Sequence, residues 1–169
     1  MLGRLYEGQD CSAARTLELV GERWSLLILR DAMFGDCTRF SQFQSSLGIA
    51  TNILTTRLDG FVEAGLMERR QFGDSGEQGE YLLTEMGLAL KPVIIALTEW
   101  GDRWLRAGPI VYESKSDGRR VEVQLRRADD GAEVSLRDVV AQPRRERRLT
   151  RHRRGRTAIG RSRSASKRT

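Results

Sequence analysis

Two short amphipathic segments joined by a tight turn constrain the fold of this chain more than any other feature of its sequence. The segments span residues 41–64, and Leu47-Gly48-Ile49 supplies the turn between them. Apolar residues recur at helical spacing, with Phe40, Phe43 and Leu47 before the turn and Leu54, Leu58 and Phe61 after it. The pattern therefore predicts a helix-turn-helix motif.

The beginning and the end of this motif carry their own signals. Ser41-Gln42-Phe43-Gln44 matches a capping box, in which the Ser41 hydroxyl and the Gln44 side chain satisfy free N–H groups at a helix start. The second motif helix is predicted from Thr51 to Ala64, and Gly65 closes it.

Two further helices are predicted before the motif. The first spans about Ser12 to Val20, and Gly21 can end it in a left-handed conformation. Its expected buried face carries Ala13, Leu17 and Val20. The second spans about Trp24 to Met33 and is apolar nearly all round, which predicts a buried helix.

A hairpin and a long helix are predicted after the motif. Leu66–Phe72 and Glu80–Thr84 have strand composition, and the linker between them is rich in turn formers. Thr84 can cap a helix from about Glu85 to Ala107, in which Pro92 should cause a kink. The apolar stripe of this helix consists of Leu90, Val93, Ile94, Leu97, Trp100 and Trp104.

This stripe is longer than a domain of this size can cover by itself, so we expect a homodimer built from the first helix and the long helix. Trp24, Trp100 and Trp104 fit a core or dimer interface better than a ligand pocket. The predicted class is mainly α with a small β-hairpin wing (α+β). It is a winged helix-turn-helix domain over residues 1–107 that dimerises through its terminal helices.

Two segments follow this domain. Residues 108–143 are predicted to form a small β-like extension, because residues 119–127 and 132–140 alternate loosely around Asp129-Asp130-Gly131. Residues 144–169 are dominated by arginine and have no apolar periodicity, which predicts a disordered basic tail.

The tail also dominates the net charge of +6. It holds 12 of the 29 lysines and arginines and one of the 23 acidic residues, so the rest of the chain has 17 basic and 22 acidic residues. The overall charge therefore does not indicate a basic folded surface. The tail either holds DNA non-specifically or is a solvated appendage, and the sequence leaves both open.

Residue types exclude several classes of function. No apolar run approaches the ~18 residues of a membrane helix, and the first ten residues lack a signal-peptide pattern, so we expect a cytoplasmic, nucleoid-associated protein with no membrane partner. Two cysteines and one histidine are too few for a zinc site. No nucleophile–base pair or Gly-rich phosphate loop occurs, so we expect no enzymatic activity, metal or cofactor.

Six runs of sequence, in order over residues 11–106, resemble HxlR-type regulators. The runs are CSAARTLELVGERWSLLILRD from Cys11, RFSQF from Arg39, GIATNILTTRL from Gly48, EAGLMERR from Glu63, YLLTEMG from Tyr81 and WGD from Trp100. The resemblance implies a dimeric winged-helix protein that binds double-stranded DNA. Members often carry basic residues at the wing tip, whereas this chain has Asp74, Glu77 and Glu80 there, which puts a wing contact with DNA in doubt.

Some HxlR-type regulators sense electrophiles or oxidants through a cysteine at the start of the first helix, which implies such a role for Cys11. A helix N-terminus favours a thiolate, and Arg15 lies one turn away. The alternative is that Cys11 is a small residue of ordinary reactivity. Cys37, after the second helix, is expected to be inert or a secondary thiol.

The predicted DNA-contacting residues belong to the motif. Asparagine and threonine side chains on the polar side of its second helix can bond base edges, although such a face is often simply solvated. These residues are Thr51, Asn52, Thr55 and Thr56. Ser41 joins the set at the start of the first motif helix. Arg39 and Arg57 are candidates for phosphate contacts, and Arg57 fits an internal ion pair equally well.

Two functions therefore remain in competition. One is a sequence-specific transcription regulator that binds an inverted-repeat operator as a homodimer, with an oxidant or electrophile as its signal. The other is a winged-helix protein-interaction module without specific DNA binding, favoured by the acidic body and the acidic wing tip. Steep loss of DNA affinity with rising salt distinguishes the first from the second.

Overall fold

The fold was obtained as a computed structural model, which describes Tyr6, residues 8–71 and residues 79–143. The elements are α1 (Ser12–Val20), α2 (Ser25–Phe34), α3 (Phe40–Leu47), α4 (Thr51–Glu63), β1 (Met67–Gln71), β2 (Gly79–Leu83), α5 (Glu85–Leu88), α6 (Lys91–Trp104) and a single 3-10 turn (Leu136–Asp138). The predicted mainly helical fold with one antiparallel hairpin is confirmed. None of the described helices is long and apolar enough to cross a bilayer.

The core forms where α2, α3 and α4 meet the base of the hairpin. Its members are apolar side chains withdrawn from water, each of which favours folding by roughly 1.5–3 kcal/mol. Those that are fully covered include Leu66 and Met67 at the base of the hairpin and, from the helices, Ile28, Leu29, Phe43, Leu54, Leu58 and Phe61. Since the last three come from α4, its apolar face fixes the helix rigidly against the domain.

The hairpin is joined to the start of α3. Strands β1 and β2 pair antiparallel with Met67 opposite Leu83. The backbone N–H of Tyr81 donates to the carbonyl of Thr38 at 2.7 Å, and Arg39 forms an isolated bridge with Glu80. The wing is therefore held beside the helix-turn-helix motif. Its tip, including Asp74 and Glu77, lies outside the described residues.

The predicted bounds of α1 are confirmed, but its buried face is not the predicted one. Ala14 and Val20 are buried, whereas Ala13 and Leu17 are exposed. Gly21 is not left-handed either, because its φ is −75°. A Cβ at this position would lie 2.5 Å from the carbonyl oxygen of Leu17, so close approach to the last turn is what favours glycine there.

The predicted long helix is two helices. Thr84 caps α5 as expected, since its hydroxyl accepts from the N–H of Gly87. The chain then breaks at Ala89 and Leu90, and Pro92 stands in the first turn of α6. A proline in a first turn removes an N–H that has no partner inside the helix, so the expected kink is replaced by a new helix start.

The chain divides into two compact units, Met1–Gln124 and Leu125–Thr169. In the first, residues after α6 make a tight turn with a bridge between Glu113 and Arg120. In the second, the same hydrogen-bond pattern recurs thirteen residues later, with a bridge between Arg126 and Glu133. The turn predicted at Asp129-Asp130-Gly131 is present, but the pairing around it is limited to this bridge and does not run along residues 119–127 and 132–140. The basic tail lies outside the described residues.

Candidate nucleic-acid interface

The turn of the helix-turn-helix motif is built by one glycine and one buried isoleucine. Gly48 ends α3 with a φ of +60°, a left-handed conformation that glycine adopts without steric cost. Ile49 is buried beneath the turn. The Gln44 amide donates to the Thr51 hydroxyl at 2.8 Å across it. These contacts fix the direction in which α4 leaves the turn.

The start of α3 differs from the predicted capping box. The helix begins at Phe40, so Ser41 lies inside its first turn and does not cap it. Gln42, rather than Gln44, supplies the reciprocal bond: its side-chain oxygen accepts from the N–H groups of Thr38 and Arg39 at 2.9 and 2.8 Å. Ser41 is thereby left exposed at the N-terminal end of α3.

In its first two turns, one face of α4 presents short, uncharged polar side chains to solvent. Leu54, Leu58 and Phe61 point into the core, and the opposite face carries the four exposed residues Thr51, Asn52, Thr55 and Thr56. The predicted polar side of α4 is thus an exposed and continuous surface backed by a rigid core.

Internal hydrogen bonds determine which side chains of this face can donate to a ligand and which can accept from it. The Thr55 hydroxyl donates to the carbonyl of Thr51, and the Thr56 hydroxyl donates to the carbonyl of Asn52, both at 2.9 Å. Each hydroxyl proton is engaged, so both oxygens can only accept from outside. Asn52 makes no side-chain hydrogen bond with the described part of the chain, which leaves its amide free to donate and accept together.

Arg57 lies on a different side of α4 from these residues. Its guanidinium donates to the Glu22 carboxylate at 2.8 Å, and its side chain is only 14% exposed. Within the described residues, its Nε and Nη1 atoms are buried without an acceptor. Of the two alternatives that the sequence left open for Arg57, the structure shows the internal ion pair, which connects α4 to the loop between α1 and α2.

Cations beside the motif come from α3 and the wing. Arg39 is exposed and lies 3.4 Å from Glu80, a long and solvent-screened ion pair. Sequence reasoning missed Arg69 and Arg70, which are exposed on β1. Arg69 stacks over Tyr81, and Arg70 pairs with Glu68 at 2.8 Å. Two consecutive arginines in a predicted wing strand were the available signal.

The two cysteines lie in opposite environments. Cys11 is exposed at the N-cap of α1, where its sulfur accepts from the N–H of Ala14 at 3.3 Å. Arg15 is paired with Asp10 at 2.9 Å and not with the thiol. Cys37 is buried, and burial raises the pKa of its thiol, which the carboxylates of Asp31 and Asp36 raise further. No group of three His, Cys, Asp or Glu among the described residues has a metal-binding arrangement.

Comparison with known proteins gives a consistent result. The model of the HxlR-like helix-turn-helix family matches residues 19–109. An uncharacterized HTH-type transcriptional regulator of Mycobacterium tuberculosis is 40% identical over 145 residues, which cover 84% of this chain and 90% of that protein.

Solved structures agree with the sequence relatives. PA1607, described as a transcription-factor candidate, is 38% identical with a TM-score of 0.70, covering 80% of this chain and 96% of that one. The redox regulator HypR in its reduced form is 26% identical with a TM-score of 0.51, covering 55% of this chain and 92% of that one.

Proposed function

The chain belongs to the HxlR-like helix-turn-helix family, and from this premise we propose that it binds an inverted-repeat DNA operator as a homodimer. It is a DNA-binding transcription regulator with a winged-helix fold. The finer parts of the proposal are the residues that contact the operator, the dimer and the signal.

The exposed polar face of α4 carries this proposal. In helix-turn-helix proteins the second helix enters the major groove with its N-terminal residues on base edges. Thr51, Asn52, Thr55 and Thr56 occupy the first two turns of α4. A free asparagine amide fits the N6 donor and N7 acceptor of adenine, and threonine oxygens that only accept fit the exocyclic amines of adenine or cytosine.

Phosphate contacts are assigned to the flanks of this face. One flank is the N-terminal end of α3, where Ser41 and, just before the helix, Arg39 are exposed. Arg69 and Arg70 extend the cationic edge onto the wing. We leave Arg57 out of the set, because a guanidinium that is mostly buried and paired with Glu22 would have to break that pair to reach a phosphate.

Self-association is supported by the outer face of α6. Trp100 is 57% and Trp104 63% exposed, and Leu97 lies beside them at 50%. Apolar exposure of this size on one helix is typical of a protein interface. Two copies joined here and along α1 would present two α4 helices to successive major grooves, about 34–36 Å apart.

Selection of genomic DNA fragments by the purified full chain tests the proposal. We expect enrichment of an inverted repeat whose half-sites are one helical turn, or a multiple of it, apart. The Asn52→Ala variant, selected in parallel, should lose preference at one position in each half-site. Recovery of fragments without any shared sequence would contradict specific readout.

The competing function, a protein-interaction module, is favoured by the acidic balance of residues 1–143. The two functions differ in their response to salt. A regulator that contacts several phosphates loses DNA affinity steeply between about 50 and 200 mM salt. Binding that does not respond to salt, or no duplex binding at all, would support the module.

A thiol-based signal is proposed for Cys11, because its sulfur is exposed and caps α1. The relative HypR is a redox regulator, and this chain shares its fold. Operator binding should change when diamide is added, recover with dithiothreitol and cease to respond in Cys11→Ser. Cys37→Ala is the matched control and should keep the response, since a buried thiol with a raised pKa is a poor nucleophile. Equal binding in every condition would leave Cys11 as a capping residue.

A further inference from the structure

A cavity of about 520 Å³ lies between α2, α6 and the segment that follows α6, and none of its lining residues belongs to α4. Its volume lies in the range of roughly 300–1,000 Å³ that is usual for small-molecule sites. The walls are mostly apolar, and Phe34, Ile110 and Tyr112 provide much of them. Arg30, Asp31 and Thr98 are the polar side chains that line it.

The wall contributed by the segment after α6 is held in place by specific contacts. The N–H of Gly108 donates to the Asp102 carboxylate at 2.8 Å, and the N–H of Val123 lies 3.2 Å from a carboxylate oxygen of Glu99. The Tyr112 ring packs on Phe34 with their centroids 4.6 Å apart. The cavity is therefore a formed feature of the unit Met1–Gln124.

The hydrogen-bond directions at Tyr112 define one polar requirement of a ligand. The Thr98 hydroxyl donates to the Ile94 carbonyl at 3.1 Å, so its proton is already engaged. With the Thr98 proton on the Ile94 carbonyl, the Tyr112 hydroxyl, 3.1 Å from the Thr98 oxygen, is the donor of that pair. Its own oxygen is left as an acceptor, so the site favours a ligand that donates a hydrogen bond.

Arg30 defines the opposite requirement. Its Nε and Nη2 atoms donate to one Asp31 oxygen at 2.8 and 2.7 Å, and no acceptor in the described part of the chain contacts its Nη1. The Arg30 side chain is still partly exposed, so this donor can take the anionic group of a ligand.

We propose that this cavity binds a small aromatic hydroxy acid, with its carboxylate on Arg30, its hydroxyl donating to Tyr112 and its ring against the apolar walls. The site is compatible with a dimer formed through the outer face of α6. Thr98 follows Ile94 and Ile95 on the side of α6 that packs towards α2, whereas Trp100 and Trp104 lie on the other side.

The ligand would regulate DNA binding through Asp31. The Asp31 carboxylate is buried, with 8% of the side chain exposed, and its second oxygen accepts from the Ser46 hydroxyl at 2.7 Å. Ser46 lies in the last turn of α3, two residues before Gly48, where α3 ends and the chain turns into α4. A ligand carboxylate bound to Arg30 weakens the attraction between Arg30 and Asp31. This change alters the hydrogen bond that Asp31 accepts from Ser46 in α3. This regulatory step rests on the proposed function, whereas ligand binding does not.

Calorimetric titration of the full chain with 3- and 4-hydroxybenzoate tests the binding site without DNA. We expect saturable binding of at least one of them, with one site per chain. Benzoate lacks the hydroxyl donor and phenol lacks the carboxylate, so each should bind about tenfold more weakly. Absence of saturable binding by both hydroxybenzoates at millimolar concentration would overturn the proposal.

Two variants locate the site. Arg30→Gln should weaken hydroxybenzoate binding about tenfold and leave phenol binding unchanged. Tyr112→Phe should abolish the difference in affinity between hydroxybenzoate and benzoate. Arg103→Gln, on the part of α6 beside Trp104, is the matched control and should bind like the wild type. Binding that neither Arg30→Gln nor Tyr112→Phe alters would place the ligand elsewhere, for example in the neighbouring cavity lined by Lys91 and Asp36.

The regulatory step is measured separately. Operator affinity at saturating hydroxybenzoate should differ from that of the free protein by about tenfold, a coupling of ordinary size, and Arg30→Gln should remove the difference. Ligand binding without any change in operator affinity would overturn the coupling through Asp31. Failure to find an operator would overturn the proposed function and leave the calorimetric result as it stands.

Discussion

Helices α4 and α6 have nearly the same length, 13 and 14 residues, and each covers the domain with one face, yet their outer faces differ in kind. The outer face of α4 carries threonine and asparagine in its first two turns and Asp59 after them, whereas that of α6 carries Trp100 and Trp104. A polar face can exchange water for base edges, and an apolar face gains free energy only by leaving water. The difference supports the two proposals made above, that α4 meets nucleic acid and that α6 meets a second copy of the chain.

The largest effect is expected from a leucine-to-alanine substitution on the inner face of α4, compared with the same substitution on the outer face of α6. Leu58→Ala should lower the free energy of unfolding by about 2–5 kcal/mol, because Leu58 is fully buried and leaves a cavity. Leu97→Ala, at a half-exposed position of α6, should cost far less at protein concentrations where the chain is monomeric. Urea unfolding measures both. Equal losses would mean that the outer face of α6 packs within its own chain.

A smaller effect concerns the association of two copies. Trp100→Ala should weaken self-association by about 2 kcal/mol or more, roughly 30-fold, as truncation of a central interface tryptophan does. Sedimentation equilibrium measures this over a concentration series. Leu88→Ala, also an exposed apolar residue but on α5, is the matched control and should associate like the wild type. If Trp100→Ala associated as strongly as the wild type, the dimer interface would not include this part of α6.

An alanine substitution on the outer face of α4 should change DNA affinity and leave the free energy of unfolding unchanged. Asn52→Ala should cost about 1–3 kcal/mol on the preferred operator and relax base preference at one position of each half-site. The fold should be unaffected, since the Asn52 side chain is exposed and makes no hydrogen bond with the described residues. Asp59→Asn, further along the exposed side of α4, should instead raise affinity for all sequences alike. Binding profiles over a library of operator variants separate these outcomes.

Local sequence pattern predicted the bounds of the helices and strands well, but it predicted less well which residues they bury against one another. The bounds of α1 follow from apolar spacing and a cap at Cys11, both of which are local. Which apolar residues of α1 are covered depends on what packs against it, so Ala14 is buried and Leu17 is not. The cap of α3 was misplaced because the helix begins at Phe40, held by the bond between Thr38 and the wing strand β2.

The candidate site shows the same division. The polar face of α4 was predictable, because burial of Leu54, Leu58 and Phe61 turns the residues on the opposite side of the helix outwards. The choice between an internal ion pair and a phosphate contact for Arg57 was not predictable, since its partner Glu22 lies 35 residues earlier in the chain. The cavity beside Arg30 was not predictable either, because it forms only when the segment after α6 folds back onto α2.

The smallest effect separates the two arginines that the sequence proposed for phosphate contact. Glu22→Gln should lower the free energy of unfolding by about 1 kcal/mol, since the mostly buried Arg57 guanidinium loses its charged partner while the glutamine side-chain oxygen can still accept its hydrogen bond. Arg39→Gln should reduce the slope of log affinity against log salt by about 0.9, the contribution of one neutralised phosphate. Arg57→Gln should leave that slope unchanged, because its guanidinium is held by Glu22 within the domain. Urea unfolding measures the Glu22→Gln variant, and titrations of operator DNA at several salt concentrations measure the two arginine variants. If Arg57→Gln reduced the slope as much as Arg39→Gln, Arg57 would have to leave Glu22 when DNA binds. The polar surface of α4 that meets DNA would then extend beyond the face that is exposed in the free protein.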